Sequence, residues 1–124
     1  MRWLFHFECL RPIISYLSFT MIFAFRFIPY SAIALYPFIL IKRNELRNNA
    51  SLIHHEKIHH RQQLELWILP FYLLYVLHYF FNLLKYHNHY KAYRAIIFER
   101  EAYAMDNDFE YLKKRKPFAF LKFN

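Results

Sequence analysis

The sequence predicts a single, mostly α-helical domain with a small β edge segment, an α+β fold. Three observations carry that expectation. An apolar run at 31–43 is short and broken by Pro37, as an edge strand would be. Two stretches, from about 51 into the 60s and across 71–85, have helical length and spacing. No repeat, linker or second domain interrupts the 124 residues.

In chain order, residues 1–28 read as an amphipathic or largely buried helical lead-in, with Pro12 near its start and Pro29 closing it. The run Ile33, Leu35, Phe38, Ile39, Leu40 and Ile41 follows, and Pro37 should confine it to a sheet edge. The segment "NELRNN" supplies a turn, after which Asn49 or Ser51 can cap the next helix. Pro70 should end or kink that helix, and a second covers 71–85. A polar Tyr- and His-rich connection spans 85–94. Ile96, Ile97, Tyr103, Ala104, Tyr111 and Leu112 suit a further helix from Ala95 to about Lys114. The apolar tail at 117–123 should pack back on the body, with Leu64, Leu66, Trp67, Phe71, Leu74, Leu77 and Phe81 as core or lipid-facing surface.

Composition excludes several function classes. The chain contains no glycine, so neither a Walker loop nor a Rossmann fingerprint can form where backbone must meet phosphate. Cys9 is the single cysteine, which excludes an internal disulfide and a cysteine-based zinc knuckle. Seventeen Lys and Arg against nine Asp and Glu give a formal charge of +8, a balance that attracts anionic surfaces. No nucleic-acid motif accompanies it, and the run Lys113-Lys114-Arg115-Lys116 reads as a solvated helix end, so no nucleic-acid partner is expected.

The hydrophobic fraction of 57% and aromatic fraction of 23% raise the question of a membrane. The stretch 13–25 is shorter than the roughly twenty residues of a span, and no small-residue cleavage site follows it. The stretch 66–84 is nearly long enough but contains Pro70, His78 and Asn82. The expected location is therefore cytoplasmic or membrane-associated, with an anionic membrane surface as a candidate partner and secretion not expected.

The chemistry concentrates in "HEKIH", residues 55–59. Positions i and i+4 share one helix face, so His55 and His59 can converge on one metal ion. Imidazole suits zinc, Zn2+, which then needs a third protein ligand. Glu56, rotated by about 100° from His55, can act as general base without being a ligand. Gln62 extends the same face at i+7, and an acidic cluster, "FEREAY" at 98–103, follows about forty residues beyond His59. The remaining candidates carry blander readings. His54 and His60 project from other sides as surface or supporting groups. His87 and His89 sit in a solvated turn, while Tyr90, Tyr93 and Arg94 precede the acidic cluster as packing groups or oxyanion stabilisers.

An HExxH followed some tens of residues later by Glu99-Arg100-Glu101-Ala102-Tyr103 resembles the gluzincin metallopeptidases, and roughly 35–115 is similar to short bacterial zincin-like proteins. The resemblance implies a minimal zincin-like core in which the HExxH helix packs on a later glutamate-bearing helix. It places the third zinc ligand on Glu99, with Glu101 as the alternative. Tyr103 stands where several gluzincins carry an acidic residue supporting a ligand histidine, so that support must come from elsewhere, such as Asp106 or a backbone carbonyl. A helix over 71–85 rises about 22 Å. Ten extended residues span about 33 Å, so the acidic cluster can return to the histidines. On this reading the domain comprises an apolar lead-in (1–30), a metal-site core (31–115) and an apolar tail (116–124). The expected function is zinc-dependent hydrolysis of a peptide or protein by water activation. The competing expectation is a non-enzymatic, membrane-associated helical protein with a structural metal or none.

Overall fold

The computed structural model describes residues 20–124. The helical reading of 1–19, and most of the 13–25 stretch, lie outside the described residues. Where the lead-in enters the described part it is not helical: Met21–Ala24 forms strand β1. Ile22 and Phe23 suit a strand, and β1 gains a parallel partner in the register Met21↔Phe38 to Ala24↔Ile41.

The segment 31–43 is a hairpin rather than one edge strand. Strand β2 (Ala32–Leu35) and strand β3 (Phe38–Ile41) pair antiparallel, with Pro37 in the turn between them and the Tyr36–Pro37 peptide cis. The order β1-β3-β2 makes β3 the central strand and β2 an edge. Ile39 and Ile41 point to one face and are fully buried against Ile53, with Leu46 packed beside them. Lys42 N–H donates to the Ser31 carbonyl at 2.9 Å. Antiparallel alternation therefore turns the N–H and C=O of Ala32 and Ala34 away from β3, toward the free edge.

Helix α1 (Ala50–Leu66) is capped by Asn49, whose side chain accepts from Leu52 N–H at 3.1 Å. Ser51 instead donates to Asn107 Oδ1. Within 53–60 only Lys57 is exposed, so α1 is enclosed nearly all round despite its histidines and glutamate. It ends at Trp67, which adopts φ 61° and ψ 137°, and not at Pro70. Pro70 lies in the first turn of helix α2 (Ile68–Tyr86), where its missing N–H costs no hydrogen bond.

Helix α2 is amphipathic in the opposite sense to an ordinary surface helix. The side facing the protein carries the polar-tipped residues. Tyr72 donates to the Ala34 carbonyl, Tyr75 to Glu99 and Asn82 to the Ala92 carbonyl, while His78 accepts from Ile97 N–H and Tyr79 bonds His89. The opposite half, including Leu69, Leu73, Leu77, Phe80, Phe81 and Leu84, is exposed. Of the residues expected as core or lipid-facing surface around this helix, Phe71 is buried, Leu64 and Leu66 are half-buried, and Trp67, Leu74, Leu77 and Phe81 are exposed. Among the described residues α2 is also the one helix long and apolar enough to cross a membrane by length and composition.

The connection 85–94 contains helix α3 (His89–Arg94), capped by Asn88. The expected helix from Ala95 to Lys114 divides into α4 (Ile97–Met105) and α5 (Tyr111–Lys114), separated by a turn at Asp106–Asn107. The tail returns to the body as a 3-10 helix at Ala119–Phe123, with Phe120 against Phe98 at 5.0 Å between ring centroids. The fold is thus mostly helical with a small three-stranded sheet.

Candidate metal centre

His55 and His59 lie one turn apart on α1, their ring centroids 4.9 Å from each other. Helix α4 crosses this face and inserts Glu99 between them. Oε2 lies 3.0 Å from His55 Nε2, and Oε1 lies 3.1 Å from His59 Nε2. All three residues are buried, and their ligand atoms lie within 4.8 Å of one another. The Nε2 of His59 is buried and, despite its closeness to Glu99, has no aligned hydrogen bond. Its contact with the carboxylate is therefore an ion-pair distance. Two imidazole nitrogens and a carboxylate oxygen form a metal-ligating donor set, and this group could hold a metal ion.

The outer partners fix the rings. His59 Nδ1 donates to Gln62 Oε1 at 2.8 Å, and Gln62 Nε2 donates to Glu101 and to the Phe98 carbonyl. His55 Nδ1 lies 3.4 Å from Asp106 Oδ2. With Nδ1 engaged on each ring, Nε2 is the atom that faces Glu99. Tyr75 O–H donates to Glu99 Oε1 at 2.8 Å. Glu101, the alternative third ligand, points elsewhere: it receives Arg115, Tyr111 and Gln62, and it is not among the clustered ligand atoms. Tyr103 supports His55 by its ring, at 4.4 Å between centroids, while its hydroxyl meets that of Tyr93 at 2.9 Å.

The remaining expected residues fall as follows. His54 and His60 are buried rather than superficial. His54 Nδ1 donates to the Asp106 carbonyl and His60 Nε2 to that of Phe38, and burial lowers both pKa values. His87, Tyr90 and Arg94 are exposed, and Arg94 stacks its guanidinium 3.6 Å over the Tyr103 ring.

Electrostatics separate the two buried glutamates. Burial alone would raise Glu99, but the His59 and His55 rings on either side hold its carboxyl well below the usual range. Burial alone would lower His59, yet the Glu99 carboxylate outweighs it and raises the ring to about 9. Glu56 goes the other way. Burial pushes its carboxyl up, against the pull of the histidines and a hydrogen bond from the Ala34 backbone. It lies on the floor of a cavity of about 370 Å³ with His59 and Glu99, walled by Tyr30, Phe71, Tyr72, Tyr75 and Tyr93. A second cavity of about 460 Å³ over His55 shares Glu56, Ala32 and Tyr93 with it.

Several participants were missed from sequence. Arg115 lies in the basic run read as solvated, yet it is buried between Glu101 and Glu65. Gln63 Nε2 donates to the Ala34 carbonyl, and its Oε1 accepts from Tyr36 N–H. One signal was present: Tyr72, Tyr75, Tyr79 and Asn82 recur at helical spacing inside an apolar run.

The fold and site define a class: an α+β protein in which two helices bring together a buried His-His-Glu group able to hold a metal ion. Against protein-family models, curated proteins and solved structures, the chain finds no match.

Proposed function

We propose that the chain is a small zinc-dependent hydrolase of the gluzincin kind, acting on peptides. The observation that carries this reading is the position of Glu56, a buried carboxyl on a cavity floor directly beside the His55, His59 and Glu99 group. His55, His59 and Glu99 would hold the zinc, which would supply Lewis acidity toward a carbonyl and an acidified water. The chain's own groups do the rest. Glu56, its proton affinity raised by burial, takes the proton of the attacking water on a carboxylate oxygen and delivers it to the leaving amine. The Ala34 N–H steadies that carboxylate. The aromatic walls exclude bulk water and favour a substrate with an apolar side chain. On the free edge of β2, the outward N–H and C=O of Ala32 are placed to pair with an extended substrate backbone.

The test is elemental analysis and peptide hydrolysis on the wild type, His59→Ala, Glu99→Ala and Glu56→Gln. We expect one zinc per chain, lost from the first two variants and kept in Glu56→Gln, whose hydrolysis falls by roughly 10²–10⁴-fold. Zinc retention with no hydrolysis in the wild type would instead assign a structural metal. A wild type without zinc would remove the reading altogether.

A further inference from the structure

We propose that the outward half of α2 is a lipid-docking surface that lies in the headgroup–acyl boundary of an anionic bilayer. At 100° per residue, Leu69, Pro70, Leu73, Leu74, Val76, Leu77, Phe80, Phe81 and Leu84 fall within one half of the helix, and all are exposed. The face is about 25 Å long and, from Leu69 to Leu84, carries no side chain that can form a hydrogen bond. A surface helix of a water-soluble domain places polar residues there. In α2 they are turned inward, and each finds a partner within the chain.

The chemistry of the face distinguishes among occupants. Protein interfaces carry about one hydrogen bond per 100–200 Å² and a polar rim. A face without a donor or acceptor matches hydrocarbon, which offers none. The surrounding charge selects the headgroup. No Asp or Glu occurs from Leu66 to Phe98, while Lys85 is exposed at the border of the face, in a chain of net charge +8. Trp67, 79% exposed at the start of the face, is an amphipathic residue of the kind that settles at such a boundary. Val76 belongs to the face and to the wall of the cavity over Glu56, so the docked surface adjoins that cavity.

The experiment is flotation of the full chain with vesicles of phosphatidylcholine alone or mixed with phosphatidylglycerol, alongside light scattering for oligomeric state. The wild type should float with the mixed vesicles, roughly tenfold more tightly than with phosphatidylcholine alone. Leu73→Gln/Phe81→Gln should weaken that binding by roughly a hundredfold, because two large side chains no longer leave water. Its thermal transition should match that of the wild type, since both positions point outward. A wild-type chain that floats with neither vesicle overturns the proposal. So does a double variant that floats as tightly as the wild type. A stable dimer dissociated by the double variant, with no flotation, would give the face to a second copy of the chain.

Discussion

Gln62 and Gln63 form a matched pair that separates metal positioning from ordinary stability. Both are fully buried on α1, and both spend their amides on backbone and side-chain partners. Only Gln62 touches a candidate ligand, by accepting from His59 Nδ1. Gln62→Met keeps the volume and removes this acceptor, together with the amide that donates to the Phe98 carbonyl and to Glu101. Gln63→Met removes the Oε1 that accepts from Tyr36 N–H and the amide that donates to the Ala34 carbonyl, which keeps Tyr72. Each variant should lose about 1–3 kcal/mol in urea denaturation of the metal-free chain, the cost of orphaning buried polar groups. Their zinc affinities should diverge. Loss of an outer partner that orients a ligand histidine costs about 10–100-fold in metal affinity. Competition with a chromogenic chelator should therefore show that loss in Gln62→Met and less than about threefold in Gln63→Met. Equal zinc affinities in the two variants would refute the argument that Gln62 orients His59.

Two other expectations follow from buried charge. Arg115→Met strands Glu101 and Glu65, and should cost about 3–5 kcal/mol, a fall of roughly 10–20 °C in Tm by calorimetry. Adding Glu101→Gln should restore part of it, and a loss below about 1 kcal/mol would mean that the cluster contributes little. The metal-free chain should also lose stability as pH rises. His59 has its folded pKa raised to about 9 from 6.5, so its contribution is complete below 6.5 and lost through 9, up to about 3 kcal/mol. Glu99 is shifted down, so its contribution is present above its ordinary pKa and lost in acid. Urea midpoints between pH 7.5 and 9, above the range where the lowered His54 and His60 titrate, should fall in the wild type and stay level in His59→Ala; a level wild-type profile would show that Glu99 does not hold the His59 proton.

The sequence was most legible where spacing alone determines geometry. His55 and His59 had to share a face once α1 was helical, and Asn49 announced its start. Glu99 was reached through resemblance, because contacts between α1 and α4 leave no local pattern. The apolar run of β1 lacks alternation, which hid a strand in what read as helix. Pro70 drew attention away from Trp67, although a proline in a first turn continues a helix comfortably. The basic run concealed Arg115, since burial of a guanidinium depends on carboxylates fourteen and fifty positions away.

The treatment of Ala34 has a consequence for self-association. A free strand edge normally offers every second residue as a template for another chain. In this sheet the Ala34 carbonyl is already held by the Gln63 amide and the Tyr72 phenol. A second β2 arriving at this edge would find one open rung, at Ala32, followed by a rung that has been closed from the side. The edge can greet a single stretch of backbone briefly, but it cannot be zipped into a longer ladder. In so aromatic a chain, that interruption is a guard against fibrils.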